Sequence, residues 1–452
     1  MLLRLVNLFL IAIIALFSAS SGVLFFLTTT YFVGIITAIF LSDRDQADKT
    51  NLLFLFDLAF LVYNLFVFVA YYSFIEADNS FFKYSDQYVF YEIAEQLGRN
   101  SSLKQIYHDC FVYRLHIEQE GAYFLFGTIA YLSNNFFDGN SILIQSISVS
   151  FFAILINLFV YKIISHHTTK FIALRYAVLY LVFSHILAYS PWLLRDVHIA
   201  LLFAIAIYIL HLEFSYISLV LLLCLNLFTF EFRFEHGLVF TFFPLFYIVN
   251  NSIQSKYKEI YVSILILFLL VVGINYYSLI ISNFSKVSNS LDNYTEFTEE
   301  SVSSSDGLGA IIYRLPSGVS HIARVVFSQI SPFPPWVEIQ KSTTLSQSII
   351  GLVTGISSLF WSFVFFINVK YFRYSRYMSS HTKYLLIFAV VFLFLNSSNI
   401  SERRIMAIYP LLYVFFIFVT SRLSKDHIST NIFQFFRLYS SLLLVYFLFK
   451  FL

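Results

Sequence analysis

The stretch "FIALRYAVLYLVFSHILAYSPWLLRDVHIALLFAIAIYIL", residues 171–210, decides the fold class. It consists of two apolar runs on either side of a short charged turn. Each run approaches the roughly 20 residues that an α-helix needs to cross a bilayer core. The turn contains Pro191, which favours the end of one helix, and the adjacent pair Arg195 and Asp196, which stands where the next begins. The pattern predicts two membrane-spanning helices joined by a charged turn.

The composition extends this prediction to the whole chain of 452 residues. It is 59% hydrophobic and only 12% charged, whereas a soluble domain carries about 25% charged residues. A soluble fold could not bury so much apolar surface, so we expect an all-α, polytopic integral membrane protein. The net charge of +2 gives no reason to expect a nucleic-acid partner, and two cysteines do not make a disulfide framework. We expect no cleavable signal peptide, since residues 5–41 carry no charge and together are too long for the apolar region of one.

Thirteen apolar segments predict about 13 transmembrane helices, within a range of 11 to 14 that reflects several short segments. They cover approximately residues 5–18, 22–41, 52–74, 141–161, 171–190, 197–211, 216–230, 237–250, 259–282, 348–369, 383–396, 405–420 and 431–449. We expect residues 1–452 to form a single membrane domain. Two long loops interrupt it, 75–140 and 283–347. The first contains a short apolar piece, 121–132, and we interpret 121–140 as a re-entrant or interfacial element.

Lysines and arginines in the short loops predict the orientation, because they concentrate on the cytoplasmic side. One alternating set of loops carries twelve of them: Arg44, Lys49, Lys162, Lys170, Lys256, Lys258, Lys370, Arg373, Arg376, Lys383, Arg422 and Lys425. The other set carries four: Arg195, Arg233, Arg403 and Arg404. The first set is therefore predicted to be cytoplasmic, with the N-terminus inside and the C-terminus outside. Both long loops and the four arginines then share the outer face.

Acidic residues and one histidine on that face are candidate catalytic groups. Asp86 stands at the start of a helical pattern, where it either caps the helix or points at a substrate. Glu120, with Glu118 beside it, lies where the chain re-enters apolar surroundings, and desolvation there suits a general base. Glu235 and His236 belong to "EFRFEHG", a cluster of ionisable groups between two apolar spans, which normally faces a cavity or a partner.

The four arginines are candidate phosphate ligands, because the guanidinium fork matches phosphate oxygens. Structural roles stay open: Arg195 and Arg233 could pair with nearby acids, and Arg403 and Arg404 could anchor a helix end at the interface. Asp196 complements the N-terminus of its helix, but the same dipole disfavours Arg195. Arg195 is therefore the first candidate for a phosphate-binding residue.

Two tryptophans, Trp192 and Trp336, are candidates for a lid or an aromatic platform. Trp336 follows three prolines in "SPFPPWVEIQ", residues 331–340, and is equally typical of an interfacial aromatic belt. The chain contains no P-loop, zinc-protease or nucleophile-elbow motif and no Cys/His metal spacing. We expect no metal site and no required cofactor, although a divalent cation bound together with substrate phosphate fits the carboxylates.

The order of five segments carries a resemblance to a known family. They are "SDQYVFYEIAEQL" (85–97), "EQEGAYFLFGTIAYL" (118–132), "SPWLLRDVHIALLFAIAIYIL" (190–210), "FRFEHG" (232–237) and "ERRIMAIYP" (402–410). Together they resemble the EpsG/Wzy-like polymerases of bacterial surface polysaccharides. Two features depart from that pattern. The family's Arg-Gln is Arg195-Asp196 here, and the charges Arg233 and Glu235 make the fourth segment similar to loops of the wider GT-C glycosyltransferases as well.

The resemblance implies a GT-C-like helical bundle in the bacterial cytoplasmic membrane. The partners of the protein would be the lipid bilayer and a chain-length regulator. It would transfer a glycan from undecaprenyl diphosphate to the next lipid-linked unit, as in O-antigen or capsule assembly. The arginines would bind the diphosphate, and one of the acids or His236 would accept the proton.

Two other functions remain open from the sequence. One is a GT-C enzyme that adds a single sugar from a polyprenyl-phosphate donor, with Asp86 as base. The other is a flippase for lipid-linked oligosaccharide. The flippase is disfavoured because the chain shows no internal repeat and few charges within spans, namely Asp57, Arg175 and His185.

Overall fold

The computed structural model describes residues 2–42, 45–76, 85–100, 102–113, 119–252, 314–342, 344–396 and 402–451, together with Ser263 and Ile312. These residues form helices and turns, and none of them lies in a β-strand. The α-helices are α1 (Leu2–Ser18), α2 (Ser21–Leu41), α3 (Gln46–Glu76), α4 (Ser85–Gly98), α5 (Leu103–Tyr107), α6 (Glu120–Phe136), α7 (Ile142–Ser165), α8 (Lys170–Phe183), α9 (His185–Tyr189), α10 (Arg195–Leu210), α11 (Tyr216–Phe232), α12 (Phe234–Phe240), α13 (Phe242–Ser252), α14 (Ser317–Ile330), α15 (Val337–Gln340), α16 (Leu345–Lys370), α17 (Ser380–Asn396), α18 (Glu402–Ile405), α19 (Tyr409–Thr420) and α20 (Lys425–Phe451).

Seven helical segments among the described residues are long and apolar enough to cross a membrane. They are Ser21–Leu41, Gln46–Tyr72, Ile142–Ser165, Lys170–Tyr189, Leu345–Lys370, Glu402–Thr420 and Lys425–Leu448. Three shorter apolar helices accompany them: Leu2–Ser18, Tyr216–Phe232 and Ser380–Leu395. The prediction of an all-helical polytopic membrane protein is confirmed. The count of 13 stays a prediction, and the expected span at 259–282 lies outside the described residues apart from Ser263.

The predicted break between the first two apolar segments is present, and its cause is local. Ala19 adopts a positive φ of 48°, which a helix does not allow. Ser20 then caps α2, because its side chain accepts a hydrogen bond from the backbone N–H of Val23. The chain therefore forms two helices, α1 and α2, instead of one long helix.

Helix α7 lies at the centre of the bundle. It packs against α2, α3, α8 and α10, and most of its side chains are buried, including the small polar residues Ser146 and Ser150. The central position of α10 follows from its packing on α7. Its 16 residues span about 24 Å at 1.5 Å per residue, so Arg195 stands at one end of the bundle and His211 at the other.

Helix α20, by contrast, lies on the periphery. Its apolar side chains are largely exposed, as Phe433 (69%) and Leu444 (62%) illustrate. A row of large apolar side chains facing outward along a helix of this length is suited to lipid contact and not to water. This exposed apolar surface of α20 therefore agrees with a bilayer environment.

The basic loops meet at one end of the bundle. Lys170 of the α7–α8 turn bonds Asp45 before α3, with 2.7 Å between its Nζ and Oδ2, and Lys162 bonds the buried Asp48 at 3.1 Å. His167 of the same turn lies 3.0 Å from His211 at the end of α10, measured between their Nε2 atoms. In the described part of the chain, these basic loops thus lie at the end of the bundle opposite Arg195, while the direction of the bundle across the membrane stays a prediction.

The piece predicted to be re-entrant or interfacial forms helix α6, which packs on α4. The two helices approach closely because glycines face apolar side chains: a Cβ on Gly127 would lie 2.8 Å from that of Leu97, and one on Gly98 would lie 2.7 Å from that of Ala130. With 17 residues, α6 is not among the candidate spans. The two polar segments 75–140 and 283–347 remain predictions, and 283–311 lies outside the described residues.

Candidate active site at one end of the bundle

The turn before α10 is a buried structural element. Trp192 is 1% exposed, and its indole N–H donates to the carbonyl of Ala188 at 2.9 Å. The hydroxyl of Ser190 donates to the carbonyl of Leu187 at 2.8 Å. Trp192, predicted as a candidate lid or platform, therefore packs the turn from within. This packing fixes the point at which α10 begins.

Arg233 occupies a one-residue break between α11 and α12. Its backbone is extended, with φ −163° and ψ 118°, because α11 ends at the preceding residue and α12 begins at the next. The guanidinium donates to Oδ1 of Asp196 at 2.8 Å, and the two side chains are only 5% and 3% exposed. The segment "EFRFEHG" is thus neither fully extended nor fully helical. It contains a kink at Arg233, which directs this side chain towards the start of α10.

Arg195 stands beside this bridge and makes a different contact. Its Nη1 donates to the backbone carbonyl of Phe232 at 3.0 Å, which is the last residue of α11. Carbonyl groups at a helix C-terminus lack intrahelical partners and attract cations. The charge of Arg195 also interacts with those of Asp196, Glu235 and Arg404. Arg195 thus links two helix ends within the cluster of charges.

A second bridge joins parts of the chain that are 317 residues apart. Nη2 of Arg403 donates to Oδ2 of Asp86 at 2.9 Å. Asp86 lies in the first turn of α4 and Arg403 in α18. The side chains are 45% and 19% exposed, respectively, so this bridge is more open to solvent than that of Arg233. The charge of Arg403 also acts on Asp196, which places both bridges in one electrostatic cluster.

His236 fastens α12 to the turn that carries the arginines. It is 2% exposed, and its Nε2 lies 3.1 Å from the backbone carbonyl of Arg404. Since a carbonyl only accepts hydrogen bonds, Nε2 carries the proton and Nδ1 carries the lone pair. The rings of Phe203 and Phe392 pack edge-on against the imidazole. Of the atoms of His236, only Nδ1 could accept a proton from a substrate.

Glu120 enters the site because α6 begins against the end of α11. A Cβ on Gly121 would lie 3.0 Å from the ring of Phe232 and 3.2 Å from the backbone of Glu231, so only glycine allows this approach without displacement. Glu120, in the first turn of α6, is 2% exposed. A buried carboxylate beside a cluster of cations is a reasonable candidate base. Glu118 lies outside the described residues.

Tyr123 is a site residue that the sequence analysis missed. The charges of Arg195, Asp86 and Glu120 all act on its side chain, which is 5% exposed and packs against the ring of Phe90. It therefore interacts electrostatically with the candidate cation and with two candidate bases. It is one of 32 tyrosines, and its position one turn after Glu120 was the only signal that could have singled it out.

Tyr189 and Glu402 were also missed. The Tyr189 hydroxyl donates to the carboxylate of Glu402, which connects the end of α9 to the start of α18. Glu402 directly precedes the two arginines of "ERRIM". The bond therefore orients the turn that carries Arg403 and Arg404.

Among the described residues, the structure joins neither Glu235 nor Trp336 to the two arginine bridges. Glu235 is exposed, and its charge acts on Arg195. Trp336 is partly exposed and stacks on Phe447 of α20, with 6.3 Å between ring centroids. No hydrogen bond in the described part of the chain joins Trp336 to the arginines.

Two of the carboxylates that could hold a divalent cation, Asp86 and Asp196, are occupied by arginines. Across the described ranges, no group of three or more Asp, Glu, His or Cys side chains is placed to hold a metal ion. The arrangement instead presents guanidinium groups, whose chemistry is the binding of phosphate or carboxylate anions. It can neutralise an anionic leaving group and offers carboxylates at its edge as proton acceptors.

The fold and this site define the chain as an all-helical membrane protein with an arginine-rich centre at one end of its bundle. No family model, no curated protein and no solved structure matches the chain. The resemblance to EpsG/Wzy-like polymerases therefore rests on the segments quoted above.

Proposed function

We propose that the protein is a polymerase of lipid-linked oligosaccharides, which transfers a glycan from undecaprenyl diphosphate to the next lipid-linked unit at the outer face of the cytoplasmic membrane. One observation carries the proposal. Arg195, Arg233, Arg403 and Arg404, from three separate regions of the chain, form a single electrostatic cluster with Asp86 and Asp196. The quoted resemblance supplies the substrate class.

The reaction requires cations near the leaving group. The acceptor hydroxyl forms a bond to the anomeric carbon, the bond from that carbon to the diphosphate oxygen breaks, and the hydroxyl proton passes to a base. Negative charge develops on the diphosphate, and each preorganised donor at such a position typically contributes about 10²–10³-fold in rate. Arginine forks are suited to diphosphate oxygens.

The two bridges suggest which arginine meets the diphosphate first. The bridge from Arg233 to Asp196 is buried and holds the framework, whereas the bridge from Arg403 to Asp86 is partly open. A diphosphate could replace Asp86 as the partner of Arg403. That exchange would release the carboxylate of Asp86, which would then be free to accept a proton.

The candidate bases differ in their surroundings. Glu120 is buried beside the cluster and Glu235 is exposed, while His236 has only Nδ1 for a proton. The geometry favours Asp86 and Glu120, the carboxylates whose charges meet at Tyr123. Substitution of each by its amide would separate the two.

The alternative is a GT-C transferase that adds one sugar from a polyprenyl phosphate. The position of Asp86, in the first turn of α4 and shortly before α6 in the chain, favours it. A monophosphate leaving group needs fewer cations than a diphosphate. A cluster of four arginines is therefore more than this alternative requires.

Analysis of surface glycan from a deletion strain tests the proposal. Loss of the polymer ladder, with a single repeat unit still displayed, is the expected result. A truncated or absent repeat unit would indicate the single-sugar transferase. Lipid-linked units retained on the cytoplasmic face would indicate a flippase, and an unchanged ladder would contradict all three.

A further inference from the structure

A second cluster of arginines lies at the opposite end of the bundle, among the basic loops. It lines a cavity of about 480 Å³ formed by Arg373, Tyr374, Arg376, Tyr377 and Arg422, which we call the arginine cavity. Its size falls within the range of small-molecule sites, roughly 300–1,000 Å³. None of the residues that line it takes part in the candidate active site.

The arginine cavity is built from two turns that follow membrane-spanning segments. The 3₁₀ helix Phe372–Tyr377 follows α16, and Arg422 follows α19. Both helices belong to candidate spans, which end at Lys370 and Thr420. The cavity therefore lies at the level where a bilayer presents its headgroups, and tyrosines are common at this depth.

Two of the three guanidinium groups are held in place by aromatic neighbours. Arg376 lies over the ring of Tyr377, 4.7 Å from its centroid, and donates to its hydroxyl at 2.6 Å. Arg422 lies 3.5 Å from the centroid of the Phe418 ring and donates to the carbonyl of Phe418 at 2.9 Å. These contacts use part of each fork and reduce its conformational freedom. The remaining N–H groups are available to a ligand.

The charges of the cavity are not compensated by acids. In the described part of the chain, no carboxylate forms an ion pair with Arg373, Arg376 or Arg422. Two lysines of the same set of loops differ from these arginines, since Lys162 and Lys170 each pair with an aspartate. A general excess of cytoplasmic positive charge explains basic loops, but it does not explain three uncompensated arginines around one cavity.

We infer that the arginine cavity binds a phosphate group. Planar forks and phenol hydroxyls are suited to phosphate oxygens. An anion would relieve the repulsion among three like charges. The group could belong to the headgroup of an anionic phospholipid or to a soluble phosphate. This inference does not depend on the glycan polymerase function, because it concerns the other end of the bundle.

Binding to the full-length purified protein tests this inference with two probes. The first is a phosphatidylcholine nanodisc with and without phosphatidylglycerol, in which retained phosphatidylglycerol is counted by native mass spectrometry. The second is inorganic phosphate or diphosphate, titrated by calorimetry against protein in phosphatidylcholine nanodiscs. Retention of phosphatidylglycerol identifies a lipid headgroup as the ligand, and a saturable titration identifies a soluble phosphate.

The double variant Arg376→Gln/Arg422→Gln should weaken binding of the positive probe by about tenfold or more, because two charge-assisted contacts are lost. Lys383→Gln is the matched control, since it removes one exposed positive charge from the start of α17 outside the cavity, and it should leave binding nearly unchanged. Arg376→Lys/Arg422→Lys retains the charge but loses the fork, and it guards against a folding defect in the first variant.

An equal loss in binding free energy per removed charge, in the double glutamine variant (two charges) and in Lys383→Gln (one charge), would overturn the inference, since it would show attraction by general charge. Absence of binding by either probe to the unaltered protein would also overturn it. Full binding by the lysine variant would contradict the role given to the planar guanidinium groups, because it would show that positive charge alone is enough for binding. The polymer ladder in cells carrying the double variant is a separate measurement, so failure here is distinguishable from failure of the proposed polymerase.

Discussion

Replacing Arg233 with Met tests whether the buried bridge to Asp196 supports the candidate active site. The two side chains are 5% and 3% exposed and their atoms lie 2.8 Å apart. Removal of one member of such a pair leaves a buried charge and typically costs about 3–5 kcal/mol. Asp196 also interacts with Arg195 and Arg403, which partly compensate for the loss. We therefore expect a cost near the lower limit, about 3 kcal/mol.

Asp45 and Lys170 provide a matched comparison at the other end of the bundle. Their bridge is as short, 2.7 Å, but the side chains are 51% and 33% exposed. Lys170→Met should therefore cost about 1 kcal/mol or less. The contrast between the two substitutions isolates the effect of burial, because both remove one cation from one aspartate.

Equilibrium unfolding in mixed micelles measures both costs. A double-mutant cycle with Asp196→Asn should return a coupling energy of roughly 2–3 kcal/mol for the pair with Arg233. Similar costs for Arg233→Met and Lys170→Met would refute the reasoning, and so would a coupling energy near zero. The polymer ladder of the Arg233→Met strain then shows whether function follows stability.

Three further predictions concern other parts of the chain. Arg195→Ala should abolish polymer while normal amounts of protein remain in the membrane, and Arg195→Lys should retain little activity; near-normal polymer on a glycan gel would remove Arg195 from the site. Gly121→Val should cost about 1–3 kcal/mol through overpacking against Phe232 and reduce polymer, whereas Gly318→Ala, which has no atom within 4 Å of the added Cβ, should have little effect in the same assays. Burial, and then the charges of two neighbouring histidines, lower the pKa of His167 to about 4. Folding therefore favours the neutral form, and the free energy of unfolding should fall as pH drops from about 6.5 towards 4. His167→Gln should reduce this dependence of stability on pH in thermal unfolding, and an unchanged dependence would contradict the assignment.

The sequence predicts local features well because their causes are local. The break at 18–22 follows from small residues and a capping serine. The start of α10 at Arg195 was likewise predicted from the turn that precedes it. These features depend on neighbours within one or two helical turns.

Pairing within the site could not be predicted, because it depends on the order in which helices pack. Arg403 finds Asp86 across 317 positions, and no periodicity connects the two. Arg233 bonds Asp196 because a one-residue kink redirects it, and a pattern of alternating charges does not reveal the kink. The sequence makes Trp192 a candidate lid or aromatic platform, yet the packing of the turn buries it.

The unequal exposure of the two arginine bridges has a consequence for their response to ionic strength. At about 0.15 M salt, charges in contact with water are screened over roughly 8 Å, while buried charges are screened much less. Salt therefore weakens the attraction between Arg403 and Asp86 and leaves that between Arg233 and Asp196 nearly constant. The candidate active site thus contains one bridge whose strength depends on the salt concentration and one whose strength does not. Dissolved salt can therefore weaken the exposed bridge of the cluster without disturbing the buried one.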